Sequence, residues 1–442
     1  SFTYVTAQIN ATGTIASVAL DIDFKYAVYV GLISILLCSL LGGMRAVTWT
    51  QVAQYIVLII AYLLPVFWIS NKLGAGFFPH FMLADEVARI GELEQQFGFV
   101  KNSAADLASV PKGLAGITKA HSAVNATPWA FISLAVCMMA GTASLPHVMM
   151  RYFTTPSVRA ARRSVGWSLF FIFLLYSSAP MLATLSKLSL MDPNLSTGII
   201  GKSIADVQAI EWYKNWNQAN LMFISDFNSN GTLELNEFFM GGKAVVLATP
   251  EIAGLPYVIS GLVAAGGMAA AMSTADGLIL AIANALSHDL YYKIIDPKAE
   301  TAKRLIVARI LLVVIGFAGA TIAALEIQGI LGSVIWAFDF AMSGLFFPLV
   351  LGVWWKRANA PGAVAGMVLG LLSGTAYLIW VRNGGSGFLG ITQLTFGLVG
   401  ATVSLVSMVL VSLATKEPGA AIQKLVDDTR IPSGKSVLGR QH

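Results

Sequence analysis

The sequence predicts an all-α polytopic membrane protein, and three observations predict it. The chain of 442 residues is 56% hydrophobic and only 12% charged, about half the charged share of a soluble domain. Apolar runs close to the roughly 20 residues that cross a bilayer as a helix recur along the chain. Basic residues gather in alternate short loops, around Arg45, at 151–163, at 293–304 and at 356–357, which is the mark of the cytoplasmic side. These loops account for the net charge of +5 without a nucleic-acid surface. Cys38 and Cys137 both lie in apolar runs, so neither a disulfide framework nor a thiolate metal site is predicted.

The elements follow in order. Residues 1–20 are moderately apolar with Thr, Gln and Asn interspersed; Gln8 among them is a candidate to line a polar path. Residues 26–43 and 52–70 are apolar spans joined by GGMRAVTWTQVAQ. Residues 71–127 are polar and too long for a hairpin. Spans follow at 128–150 and 164–186, then a second polar insertion at 188–250. After the stretch Ser260 to Tyr292 come 305–326, 329–353, 361–381 and 389–414, with Trp354-Trp355-Lys356-Arg357 as an interface anchor. The expectation is a transmembrane domain over 1–414 with about ten crossings, both insertions on the extracytoplasmic side, and a cytoplasmic tail at 415–442.

The stretch Ser260 to Tyr292 carries the most chemistry. Its centre holds Ser273, Thr274 and Asp276, polar groups that are costly at bilayer depth unless a partner or an ion compensates them. Ala270, Ser273 and Thr274 are spaced i, i+3, i+4 and share one helix face. Two hydroxyls and a backbone carbonyl are hard oxygen donors that suit a small hard cation. The plainer alternative is that both hydroxyls bond back to their own helix. Ala265, Ala269, Ser273, Gly277 and Ala281 form a small-residue stripe that lets another helix approach closely.

MSTADGLILAIANALSHDLY resembles the signature helix of the sodium/solute symporter family. GGMRAVTWTQVAQ resembles that family's loop between core helices four and five, with Gln51 in place of the usual acid. GTASLPHVMMRYF resembles the end of core helix six, and PGAVAGM the start of the first appended helix. The resemblance implies a fold of two inverted five-helix repeats, here core helices three to ten plus two C-terminal helices. It implies a sodium site with Ala270, Ser273 and Thr274 as half of its ligands. It implies sodium-coupled symport of a small organic solute, nearest to acetate and other short monocarboxylates, in a bacterial inner membrane. Ser1 lies inside what reads as a helix, so the N-terminal helices that complete the site read as missing, and the chain alone is not expected to transport. Symport of an amino acid or sugar, and proton coupling, are alternatives. A membrane sensor would need an output domain after the last helix, and an enzyme a converging acid, base or metal set that the spans do not offer.

Further candidates for the solute path or coupling are Gly141, Thr142 and Ser144, before the helix-breaking Pro146, the mid-depth acid Asp339, and Asp276, nearer the inner end of its helix, where a solvated or hydrogen-bonded acid is the plainer alternative. His147 is expected to make a structural hydrogen bond at a helix end. Ser287-His288-Asp289 is not a triad, because consecutive helical residues point apart. In the second insertion, DFNSNGTLELNE fits the EF-hand pattern D-x-[DN]-x-[DN]-G-x5-E. It predicts a weak calcium site at Asp226, Asn228, Asn230, Thr232, Glu234 and Glu237, with Gly231 at the turn.

Overall fold

The computed structural model describes residues 1–74, 79–98, 102–111, 114–117, 127–152 and 154–430, with the side chains of 41–46, 104–105 and 429–430 left aside. Long helices dominate because lipid offers the backbone no hydrogen-bond partner. The first, α1 (Phe2–Leu20), ends where Asp21 takes a left-handed conformation with φ 52°. Asp23 then caps α2 (Phe24–Lys72), its carboxylate accepting from Lys25 N at 2.8 Å. The two helices meet at a bend of 111°.

Helix α2 is 49 residues of continuous helical backbone where the sequence suggests two spans and a loop. Its partners show how it accommodates both. Ser39 bonds Asp276, Gln51 bonds the Ser273 carbonyl, and Ala61 faces Gly266. Moving from residue 39 to 51 would advance a straight helix about 18 Å, yet the partners 276 and 273 are only about 4.5 Å apart. The helix therefore changes direction between Ser39 and Gln51.

After α3 (Leu83–Phe97) and the short α4 (Ala104–Ala108) comes strand β1 (Leu114–Gly116). A broken pair follows, α5 (Pro128–Ala143) and α6 (Pro146–Tyr152), bent by 45° at Pro146, whose missing N–H cannot continue the helix. Helix α7 (Val158–Met191) leads to α8 (Ile204–Ala209), α9 (Glu211–Gln218), strands β2 (Met222–Ile224) and β3 (Phe238–Gly241), and α10 (Val245–Ile252). Helix α11 (Tyr257–Asn284) continues as a π-helical segment, Ala285–Ile295, and α12 (Thr301–Ala324) follows. A second π-helical segment, Met342–Phe346, joins α13 (Ile330–Ala341) to α14 (Phe347–Trp354). The chain closes with α15 (Ala360–Arg382), α16 (Gly397–Ala414) and α17 (Ala420–Arg430).

Among the described residues seven helical stretches are long and apolar enough to cross a membrane, or up to nine with the two bent pairs counted as one span each. The first helix and the start of the second meet that test only together, because the Thr, Gln and Asn of α1 dilute its apolarity.

The two polar insertions form one module. Strand β3 lies between β1 and β2, antiparallel to both, with Ala115 opposite Met240 and Phe223 opposite Phe239. Ile90 and Leu93 of the first insertion share a core with Tyr213, Trp216, Leu233 and Phe238 of the second. The Arg89 guanidinium donates to Asp192, which is 1% exposed, and Lys187 pairs with Glu94 at 2.5 Å.

The last two spans pack through glycine. Gly362, Gly366, Gly370 and Gly374 form a ridge on α15 against Ser412, Ser404 and Gly400 of α16, the close approach that small residues permit between membrane helices. A Cβ on Gly370 would lie 2.1 Å from the Ser343 carbonyl and 2.7 Å from the Ser404 Cβ, whereas one on Gly352 would meet nothing within 4 Å.

Two outcomes are expected in thermal unfolding followed in detergent. Gly370→Ala lowers stability by about 1–3 kcal/mol through overpacking, while Gly352→Ala leaves it within about 0.5 kcal/mol. Arg89→Met, which leaves the buried Asp192 carboxylate with the Asn194 N–H but without its cation, costs the insertion module about 1–3 kcal/mol.

Candidate ion and solute site

The predicted ion face sits midway along α11. Ser273 Oγ donates to the Ala270 carbonyl at 2.9 Å, and Thr274 Oγ1 approaches the same carbonyl at 3.4 Å. The back-bonding alternative and the three-oxygen cluster are thus one arrangement: the hydroxyl hydrogens point to the carbonyl, and each hydroxyl oxygen keeps acceptor lone pairs. All three residues are half-buried. Across from them, Gln51 Nε2 donates to the Ser273 carbonyl at 2.5 Å. Arg151 Nη2 and Gln51 Nε2 lie 3.2 Å and 3.7 Å from where a Cβ on Gly277 would sit, so glycine makes room for both. Among the glycines of α11 the tightest approach is at Gly266, beside the small-residue stripe, where an added Cβ would lie 2.4 Å from the Ala61 Cβ.

One turn further, Asp276 is 0% exposed. Ser39 Oγ donates to its Oδ1 at 2.8 Å, and its Oδ2 has no partner among the described residues. A solvated acid is therefore ruled out for this position: α2 covers it.

The other candidates form a second group, on the far side of α1. Asp339 of α13 is also 0% exposed, and neither carboxylate oxygen has a hydrogen-bond partner among the described residues. Its Oδ1 lies 2.8 Å from the Cβ position of Gly397, at the N-terminus of α16, the positive end of a helix dipole. Gly141 presses on Phe338, its Cβ position 2.6 Å from the Phe338 carbonyl oxygen. Thr142 Oγ1 and Ser144 Oγ bond back to Met138 and Ala140 at 2.6 and 2.7 Å, which spends their donors at the break before Pro146. Gln8, on α1 between the two groups, is half-buried.

His147 departs from expectation. It is buried, its Nδ1 has no hydrogen-bond partner among the described residues, and its ring packs edge-on to Tyr4 at 5.8 Å. Aromatic packing has taken the place of the expected hydrogen bond.

The loop from Asp226 to Glu237 connects β2 to β3, so its flanks are strands where an EF-hand has helices. Its side chains serve the loop itself. Asp226 accepts from Asn230 N and Gly231 N, and Asn228 and Asn230 donate to Glu234. Asn230 Oδ1 accepts from Thr232 N, and Glu237, 0% exposed, accepts from Phe227 N and Glu234 N. Among the described residues no group of three or more His, Cys, Asp or Glu is placed to hold a metal ion, so the calcium expectation finds no support.

The sodium:solute symporter family model matches residues 1–192 and 243–370. The chain belongs to the sodium:solute symporter family. The unmatched stretch 193–242 is the greater part of the second insertion. An uncharacterized symporter of Cupriavidus necator is 34% identical over 97% of this chain and 75% of its own length. A monocarboxylic acid transporter of Corynebacterium glutamicum is 27% identical over 84% of this chain and 59% of its own. In three dimensions the chain is similar to a Na+-coupled sialic acid symporter in a substrate-bound, outward-open state, with a TM-score of 0.55 and 15% sequence identity over 94% of this chain and 74% of that one. That likeness bears out the all-α transporter fold.

Within this symporter family chain, sequence reasoning missed Ser39 and Arg151 as neighbours of the ion face and noted Gln51 only as a departure. Gln51 stands where the family motif carries an acid, and that substitution was the available signal. Ser39 gave none, since a serine in an apolar run looks like any other. Ser39→Ala is expected to lower thermal stability by about 1–3 kcal/mol, because the buried Asp276 carboxylate loses its donor; unfolding in detergent checks it.

Proposed function

We propose that this chain serves in a sodium-coupled symporter that takes up a small organic solute, a short monocarboxylate such as acetate. The observation that carries the ion half is the cluster of the Ala270 carbonyl with the Ser273 and Thr274 hydroxyls on one half-buried face of α11. Hard oxygen donors in that number form part of a sodium site, and membership of the sodium:solute symporter family supports the same ion. The monocarboxylate assignment is supported by the Corynebacterium glutamicum relative. In this reading residues 1–414 are the transporter domain, the insertion module faces outward, the tail after 414 is cytoplasmic, and the membrane is a bacterial inner membrane. Ion binding favours one closed arrangement of the helices and so couples the solute to the gradient. The gradient supplies about 2.3 kcal/mol per charge per 100 mV, plus the concentration term.

A second reading, proton coupling, has one observation in its favour: the bare, fully buried carboxylate of Asp339.

Uptake of labelled acetate by the full-length protein in vesicles tests both. A sodium gradient is expected to stimulate uptake, and Ser273→Ala with Thr274→Ala to reduce that stimulation at least about tenfold, the equivalent of about 1.4 kcal/mol. Stimulation that survives the double substitution removes these ligands. Uptake driven by a pH gradient without sodium, and lost in Asp339→Asn, replaces sodium by the proton.

A further inference from the structure

The closing helix α17 (Ala420–Arg430) stands outside the bundle, yet polar contacts fix its place. Arg357 Nη2 donates to the Thr415 carbonyl at 2.6 Å, and Asn359 Nδ2 to Thr415 Oγ1 at 2.8 Å and the Lys416 carbonyl at 3.0 Å. These bonds hold the chain leaving α16 against the α14–α15 turn. Gln423 Nε2 then donates to Glu417 Oε1 and the Pro418 carbonyl, each at 3.1 Å, which fixes the turn into α17. Lys356 Nζ meets Asp427 Oδ2 at 2.8 Å. Helix α17 therefore packs on the end of α14, beside Trp354-Trp355-Lys356-Arg357, residue types that gather where lipid meets water.

The surface of α17 divides three ways, because side chains three or four apart share a helix face. Gln423, Val426 and Asp427 face the protein: Val426 is 8% exposed and the other two are half-buried. Lys424 and Asp428 form a polar, exposed flank. Ile422 and Leu425 form an apolar flank and are 54% and 60% exposed. Protein covers the first flank, and water suits the second. The third is two large aliphatic side chains that the described residues leave more than half bare.

The level at which α17 lies indicates what covers that flank. Trp354 and Leu413, at the neighbouring ends of the spans α14 and α16, are 65% and 58% exposed, as side chains that face lipid are. The bonds that hold α17 start within three residues of them, from Arg357 to Thr415 and from Lys356 to Asp427. The described charges of α17 are Lys424, Asp427 and Asp428, with no positive excess, so apolar contact and not attraction to anionic headgroups is the force available to it. A helix with one apolar and one polar flank lies in the plane of the interface, its apolar side chains at the boundary of headgroups and acyl chains.

We propose that α17 is an interfacial helix whose partner is the bilayer surface: Ile422 and Leu425 enter the acyl-chain boundary, while Lys424 and Asp428 stay in water. The Lys356–Asp427 pair, exposed and so of little energetic weight, holds the helix in this orientation. The proposal needs only a chain embedded in a bilayer and is independent of the solute and the coupling ion.

The test reads the surroundings of each flank and needs no transport. The full chain with Cys38→Ala and Cys137→Ala, reconstituted in phosphatidylcholine nanodiscs, takes one spin label at a time through Ile422→Cys, Lys424→Cys, Leu425→Cys or Asp428→Cys. Collision with oxygen, which concentrates in lipid, is compared with collision with a nickel chelate, which stays in water. The oxygen-to-nickel ratio is expected to be at least about threefold higher at the Ile422 and Leu425 positions than at Lys424 and Asp428. An equal, nickel-accessible ratio at all four positions places the apolar flank in water and overturns the proposal. Low collision with both reagents at Ile422 and Leu425 puts protein over the flank, from the rest of the tail or a second copy, and overturns it too. A benzophenone side chain in place of Ile422 or Leu425, in the chain that keeps both cysteines, gives a second reading. It is expected to crosslink to lipid; crosslinks to protein alone, or none, overturn the proposal.

Discussion

Lipid cannot hydrogen-bond the backbone, and that single constraint shapes the molecule. Every spanning segment closes its own N–H and C=O groups by being a helix. Side-chain hydroxyls inside the spans follow the same rule: Thr6, Thr14, Ser144, Ser343 and Ser407 all bond back to a carbonyl four residues earlier. Against that background the exceptions stand out. Ser273 and Thr274 meet at one carbonyl and keep their lone pairs, Gln51 reaches across from α2 to a backbone carbonyl, and Asp276 and Asp339 are buried with carboxylate oxygens that have no hydrogen-bond partner among the described residues. Buried polar groups of this kind are costly in lipid unless a partner or an ion compensates them.

Close packing is the second requirement, and small residues meet it. The hydrophobic effect does not drive helices together within lipid, so contact must come from shape. Gly266 lets α2 settle on α11, Gly141 lets α5 settle on α13, and the glycine ridge of α15 locks α16 and the Met342–Phe346 π-helical segment together. The packing also separates the two candidate groups. Helix α1 lies between α11 and α13, with Val5 and Ile9 in one core and Tyr4 against Phe338 in another. The Ala270–Thr274 face and the Asp339 group are therefore held apart by one helix.

The insertion module follows the other physics, that of water. It has a closed apolar core, ion pairs and a small antiparallel sheet. Its loop from Asp226 to Glu237 carries calcium-type residues, yet asparagine and acidic side chains at those spacings are also the residues that satisfy a tight turn's own N–H groups. Here they make those turn bonds. Spacing alone could not separate the two uses, because both draw on the same short polar side chains.

The sequence alone determined the class, the family and the helix face of Ala270, Ser273 and Thr274. Hydropathy and helical periodicity are local properties, and these features are local. Only the tertiary structure decided which helix covers Asp276, that Asp339 meets the start of α16, that Gln51 and Arg151 border the ion face, and that two insertions more than 60 residues apart share one sheet and core. Those are contacts between distant segments, fixed by which small residues allow approach and which polar groups need a partner. A single chain read residue by residue carries no record of them. The same holds for α2, whose two predicted spans and loop became one redirected helix held by its contacts to α11.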